Sequence, residues 1–455
     1  MLGPFWLSAQ NLTPSQQIGL EIYRELVETD TTHSTGDTTK AAQLLARRFR
    51  AAGFSEQDVQ ILGPGATNKN LIVRYRGSGS RSPVLLLAHL DVVEAKREDW
   101  SVDPFKLTQR EGFFYGRGTS DDKDGATALA AAFLRLRAEN FRPDRDLILA
   151  LTAGEEAGAE YSGVEWLLKH HGDFSKVGIC LNADAGGPEK KNGKLLLYAL
   201  QAAEKIYQSY RLEIKGAGGH SSKPTKDNPI YRLSAALVRL SQFDFPFRLS
   251  PITRGYFETM SGIETSRTAQ DMKAILREPP DADAVKRLCR SPFYNAILRT
   301  TAVATMLEAG HAENALPLVA RATVNCRFLP DDSTPEVERT LRKILADDEI
   351  SLTPIERAKP SPASPLTPEI QGALRWAVDK VWPGLPILPE METGATDGLY
   401  FRELKIPTYG IIGTARDLDD IRMHGKDERV AVKDFYDGLD FEYYLIQAIS
   451  GSASP

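Results

Sequence analysis

Three acids fall within four positions in the stretch GRGTSDDKDG, Gly116 to Gly125: Asp121, Asp122 and Asp124. Like charges this close repel unless a cation, a helix start or solvent accommodates them. The spacing excludes an EF-hand. With Asp122, Asp124 and Gly125 at the third, fifth and sixth loop positions, Ser120 and Ala131 would stand first and twelfth. No GK[ST] follows, so the stretch is not a phosphate loop. One acid suffices to cap or favour the start of the following helix, GATALAAAFLRLRAEN. Three exceed that need, and a carboxylate shared by two cations accounts for the excess. Asp122 and Asp124 are then expected in the turn and helix start, accommodated by solvent and the helix dipole.

Other chemistry-bearing residues follow apolar runs. His89 and Asp91 close VLLLAHLD. Residues two apart on a strand point the same way, so Asp91 could accept from one imidazole nitrogen while the other binds a metal. A satisfied polar pair is the plainer alternative. Glu155 and Glu156 follow LILALTAG. Adjacent carboxylates point apart, so one could bind metal while the other serves as general base, or both could decorate a solvated acidic turn. Asp184 ends GICLNAD, and His424 lies beyond IPTYGIIG across a charged loop. Together these supply two imidazoles and several carboxylates. That set suits borderline metals such as zinc, in a site with two ions roughly 3.5–4 Å apart.

The elements that must position these residues read as α/β. SQQIGLEIYRELVE and TTKAAQLLARRFRAAGF have helical periodicity. NLIVRYRG, PVLLLAHLD, RDLILALTAGEE and VGICLNAD read as strands, and near-continuous apolar strands among helices predict a mostly parallel central sheet covered on both faces. Ligands in such sheets gather outside the carboxyl ends of the strands, where the candidate residues fall. From Tyr207 the texture changes to strand, helix, strand, strand, helix, strand, an α+β sandwich. Within it Asp244 to Ser291, rich in proline and charge, reads as irregular. AKPSPASPLTP, with four prolines in eleven residues, reads as a linker. The expected architecture is a discontinuous catalytic domain, 1–206 and 359–455, with an inserted lid or dimerisation domain, 207–358.

The chain has 455 residues, 42% hydrophobic and 26% charged, with a net charge of −5. This is ordinary globular composition, and the charge disfavours a nucleic-acid partner or an anionic membrane surface. Three distant cysteines form no disulfide framework, and Cys180 and Cys326 lie in apolar runs that read as buried. No run reaches the length of a membrane span. MLGPFWLSAQ at the start is too short and lacks the basic flank of a full signal peptide. The remnant of a trimmed one fits, so a soluble cytoplasmic chain and an exported one both stand.

In order, HLDVV, GRGTSDDKDG, GEE, NAD, GGHSS and MHGKDE resemble metallopeptidase family M20, which includes carboxypeptidases S and G, aminoacylases and carnosine dipeptidases. NAILRTTAVATMLEAG and LVARATVNCRF are most similar to the branch of carboxypeptidase S and the N-fatty-acyl amino acid hydrolases. The resemblance implies two Zn2+ per subunit, with Co2+ or Mn2+ able to substitute. His89 and Asp184 would bind the first ion, Glu156 and His424 the second, and Asp121 would bridge both. Asp91 would orient His89, and Glu155 would be the general base. His220, from GAGGHSS, would stabilise the oxyanion in a partner subunit's site. Arg327 and Asn314 would hold a substrate carboxylate, and Gly394, in ETGATDGLYF, would offer its N–H at the site's rim. The implied activity is hydrolysis of a peptide or N-acyl amino acid beside a free carboxylate, with dipeptidase or aminoacylase action as alternatives. The resemblance also implies a homodimer through the inserted domain. A catalytically silent binding protein would lack a ligand or the base, and none is missing. A two-metal phosphoesterase would want basic residues that these acidic motifs do not clearly supply.

Overall fold

The computed structural model describes residues 12–157 and 161–451. The opening MLGPFWLSAQ segment lies outside them. The chain divides into two compact units. The first comprises the chain up to Leu200, Leu366–Ile387 and the chain from Ile406 onward; the second comprises Gln201–Pro365 and Leu388–Lys405.

In the first unit, strands run in the order Val59–Leu62, Asn70–Tyr75, Leu147–Thr152, Val84–His89, Ile179–Asn182 and Thr408–Gly410, continuing to Lys194–Glu204, Gly187–Lys191 and Arg416–Asp417. The four strands from Leu147–Thr152 to Thr408–Gly410 are mutually parallel. Antiparallel pairs flank them, so the sheet as a whole is mixed. Val84–His89, Leu147–Thr152 and Ile179–Asn182 are buried at every position. That is why they read as unbroken apolar runs: both faces are covered, leaving no polar side to alternate with. Register sets His89 beside Thr152 and Leu87 beside Asn182, so the three strands finish at nearly one level.

Helix Lys123–Ala138, alanine-rich and buried along most of its length, packs on this sheet. Pro14–Val27 and Thr38–Ala51 start at side-chain caps, Thr13 in a capping box with Gln16 and Asp37 on the Lys40 amide. Such caps satisfy amides that have no partner inside the helix.

The second unit carries a four-stranded antiparallel sheet, ordered Thr301–Ala309, Val319–Phe328, Ile206–Lys215 and Ser351–Pro354. Its core packs Tyr210, Leu212, Val324, Cys326 and Phe328 against Leu233 and Leu240 of helix Pro229–Ser241 and Val337 and Leu341 of helix Thr334–Leu345. Cys180 and Cys326 are buried, and all three cysteines are free thiols.

Asp244 to Ser291 is not irregular. It holds helices Pro251–Ile263, Arg267–Ile275 and Ala282–Leu288, with Pro292–Leu298 following. Pro251 and Pro292 are helix starters at the first turn, where a missing N–H costs nothing. Ser250, Ser266 and Asp281 cap the three helices. The short helices bury Phe257, Met260, Met272, Ile275 and Leu288, so packing rather than length supports them.

Candidate metal centre

The site is built at the ends of the parallel strands of the first unit. His89 is the last residue of its strand, and only 2% exposed. Its main-chain N–H donates to Asp122 Oδ2 at 3.1 Å. Its ring Nε2 stands 3.1 Å from Asp121 Oδ1 and 3.6 Å from Asp184 Oδ1. Asp121 turns its other oxygen away: Oδ2 lies 2.9 Å from His424 Nε2, which also stands 2.8 Å from Glu156 Oε1. Two clusters result, His89–Asp121–Asp184 and Asp121–Glu156–His424, in each of which the potential ligand atoms lie within 4.8 Å of one another. Asp121 belongs to both. A further grouping joins His89 with Glu155 and Glu156. The two clusters are called here the first and second half-sites.

The electrostatics show how strongly this region attracts positive charge. Burial opposes protonation of His89, but Asp121 and Asp184 outweigh it and hold its pKa well above the ordinary value. Asp121 and Glu156 lift that of His424 to about 10. Burial works to raise Asp121, yet the two imidazoles hold it well below the usual carboxylate range. Burial pushes Asp184 up to about 6. Lone pairs from two imidazoles and three carboxylates thus converge, a nitrogen and oxygen set that fits zinc and its neighbours.

Asp91 differs from the sequence expectation. The chain leaves the strand after His89, and the Asp91 main-chain carbonyl, not its carboxylate, meets His89 Nδ1 at 2.9 Å. The carboxylate lies 3.8 Å from that nitrogen and instead accepts the amides of Glu155 at 3.3 Å and Glu156 at 2.9 Å. One residue therefore fixes the His89 ring through its backbone and the Glu155–Glu156 turn through its side chain.

Asp122 and Asp124 are each 1% exposed, so solvent does not accommodate them. Asp122 occupies the cap position of the helix but makes no side-chain cap bond. Burial pushes its carboxyl well above the usual range, and that of Asp124 to about 7. Lys123 between them is buried as well, its Nζ donating to Thr29 O at 2.9 Å.

Arg117, within GRGTSDDKDG, and Glu428, within MHGKDE, carry no signal in the sequence that marks them as functional. They form an ion pair at 2.5 Å, with side chains 3% and 0% exposed. Removing one partner of such a pair leaves an uncompensated buried charge, at a cost of about 3–5 kcal/mol. Hydropathy periodicity cannot register a buried pair between residues 311 positions apart.

The remaining candidates belong to the second unit. His220 pairs with Ala315 in a short antiparallel ladder, and Asn314 O accepts from Ser221 N at 3.1 Å, so His220 and Asn314 are neighbours. Gly218 and Gly219, at φ +69° and +134°, adopt the left-handed region that favours glycine at the entry to this ladder. Ser222 N donates to His220 Nδ1 at 3.1 Å, which makes Nδ1 the acceptor and leaves the proton on Nε2. Arg327 lies with its guanidinium 4.6 Å from the Tyr207 ring centre, and its buried Nη1 has no hydrogen-bond partner among the described residues. The Gly394 N–H donates to Glu392 Oε1 at 3.3 Å.

Against known proteins, the pattern described as Peptidase family M20/M25/M40 matches residues 85–448. The chain belongs to that family. It is a metal-dependent hydrolase. It is 31% identical over 387 residues to human N-fatty-acyl-amino acid synthase/hydrolase PM20D1, covering 83% of this chain and 76% of that one. It is 25% identical over 421 residues to Saccharomyces cerevisiae carboxypeptidase S, covering 83% and 73%. The resemblance to the carboxypeptidase S and N-fatty-acyl amino acid hydrolase branch is thereby borne out. In fold it is similar to the M20 family metallo-carboxypeptidase Sso-CP2 from Sulfolobus solfataricus, with a TM-score of 0.69, 17% identity and coverage of 94% and 98%. A Bacillus subtilis dinuclear metal binding peptidase shares the fold at a TM-score of 0.58 and 13% identity, covering 94% and 97%. Among the described residues no helix is long and apolar enough to cross a membrane.

Proposed function

We propose that this chain hydrolyses an amide bond next to a free carboxylate, in an N-acyl amino acid or a small peptide, with two zinc ions per subunit. The observation that carries the reading is Asp121, which aims one oxygen at His89 and the other at His424. His89 and Asp184 would complete one ion's ligands and Glu156 and His424 the other's, with Co2+ or Mn2+ able to replace zinc. Bound ions would polarise an amide carbonyl and acidify a water molecule.

The protein's own residues do the rest. Glu155 takes the proton from the attacking water and passes it to the leaving amine nitrogen. Asp91 sets the direction of Glu155 by holding its amide and that of Glu156. His220 carries its proton on Nε2, the form needed to donate to an oxyanion, and would serve a partner's site in a homodimer through the second unit. Arg327 has a buried donor without a partner among the described residues, which suits a substrate carboxylate, and Asn314 would contact the same substrate end. Gly394 would contribute to substrate binding only on releasing its N–H from Glu392.

The names of the relatives favour N-acyl amino acids and peptides as substrates. The decisive experiment is a hydrolysis panel on zinc-loaded protein, comparing N-acyl amino acids, dipeptides and their C-terminally amidated counterparts. Free acids are expected to be cleaved faster, and Arg327→Gln to raise KM for them by about tenfold or more, the equivalent of roughly 1.4 kcal/mol or more, in the range of charged hydrogen bonds. Equal rates on acid and amide would remove Arg327 from substrate binding.

A further inference from the structure

The two half-sites are not equally well supported by the elements that carry them. His89 ends one buried strand and Asp184 follows another. His424 lies outside every helix and strand, its side chain is 56% exposed, and its φ is +60°, a left-handed conformation uncommon outside glycine. Its position must come from whatever grips the surrounding loop.

The grip is Arg117 with Glu428. Arg117 Nη2 donates to Gly425 O at 3.0 Å and to His424 O at 3.5 Å, and also reaches Glu94 O at 3.4 Å. Its guanidinium lies 5.1 Å from the Trp100 ring centre, which fixes the plane of the fork. Glu428 grips the other side. Its Oε2 accepts from Arg117 Nη1 and from Gly118 N at 3.1 Å, and its Oε1 from Ser120 N at 2.8 Å and Ser120 Oγ at 3.1 Å. Glu428 O also accepts from Gly116 N at 3.1 Å. One carboxylate therefore organises the turn that ends at Asp121. One guanidinium, locked to that carboxylate, holds the backbone of His424.

We infer that Arg117 and Glu428 are positioning residues that assemble the second half-site by clamping the His424 loop to the turn presenting Asp121. The inference rests on the two-ion reading. It assigns the pair a directed role, because their bonds reach the His424 loop and the turn leading to Asp121, and among the described residues none goes to the strand ends of His89 or Asp184. Glutamine at 428 keeps the size but offers one acceptor oxygen to four donors. Lysine at 117 keeps the charge but loses the fork that reaches the carboxylate and the loop carbonyls together.

The test is metal stoichiometry and affinity, measured on the full chain stripped with chelator and titrated with buffered Zn2+, with metal per chain read by mass spectrometry. Wild type is expected to bind two ions. Glu428→Gln and Arg117→Lys should weaken the second ion by at least about tenfold, in the range found for residues that orient ligands, and the first, which shares only Asp121 with the clamped turn, by clearly less. Leu374→Ala, a core truncation in helix Pro368–Val381, controls for general destabilisation and should keep both. If Glu428→Gln does not fold, Ser120→Ala removes a single bond of the clamp and should weaken the second ion by about threefold and the first by less. Unchanged affinities in the variants overturn the inference, as does equal weakening of both ions. A wild-type chain that binds a single ion overturns the two-ion reading and the inference with it, and does so without reference to any variant.

Discussion

His89 ends one strand buried at every position and Asp184 follows another, whereas Glu156 and His424 stand on loops, His424 more than half exposed. The first pair inherits its placement from sheet packing, which would hold the ends of Val84–His89 and Ile179–Asn182 in register whether or not they carried ligands. The second pair depends on dedicated polar contacts: Asp91 holding the Glu155 and Glu156 amides, and Arg117 and Glu428 around His424. The cluster is thus half scaffold and half clamp. Backbone order comes cheaply where a core exists, and must be supplied by buried charge and hydrogen bonds where none does.

The largest effect is expected at Glu155, which is grouped with both His89 and Glu156. Glu155→Gln should leave both ions bound and lower kcat by roughly 10²–10⁴-fold, the range for a lost general base. Full activity would remove Glu155 from that role, and loss of an ion would recast it as a ligand.

Next comes the contrast itself. In metal-free protein His89→Ala should destabilise by about 3–5 kcal/mol, because it strips the buried counter-charge from Asp121 and Asp184. His424→Ala should cost less than about 1 kcal/mol, as its imidazole is half in solvent. Urea unfolding under chelator checks both, and equal costs would dissolve the distinction between the half-sites.

A smaller effect lies within the one acidic motif, where Asp121 is held ionised and Asp124 is buried with its pKa pushed to about 7. An aspartate raised in the fold binds a proton there that the unfolded chain has released. Its stabilising contribution is therefore complete below about pH 4 and is lost as pH rises towards 7, by at most about 1.4 kcal/mol per unit. Asp124→Asn lacks this loss. Its stability relative to wild type should climb between pH 4 and 7 in metal-free protein, and a pH-independent difference would show that Asp124 is ionised in the fold.

Much of the site could be read from residue types and order. His89, Glu155, Glu156, Asp184 and His424 were legible as candidate donors because each falls at or just beyond the end of an apolar run, or in a loop of unusual charge, whereas Asp121 was set apart from its two acidic neighbours only by the family resemblance. The parallel strands Val84–His89, Leu147–Thr152 and Ile179–Asn182 were legible because continuous burial leaves a continuous apolar signature, whereas Asn70–Tyr75, read in the same way, pairs antiparallel. The helices between Asp244 and Ser291 were not, because short elements rely on tertiary packing and their prolines serve equally as breakers and as starters. Asp91 was assigned the wrong contact because the strand ends at His89, and the alternation that would align their side chains ends with it.

By itself, then, the sequence determined a set of candidate donors, their order along the chain and the strand ends that carry much of it, since these are local consequences of residue type and hydrophobic pattern. Tertiary structure alone decided that Asp122 and Asp124 are buried away from water, and it is what turns Asp121 towards both imidazoles. It also decided that Arg117 meets Glu428 across 311 positions. The reason is physical: burial and long-range proximity set the charge state and direction of a polar side chain, and neither leaves a periodic trace in the chain around it.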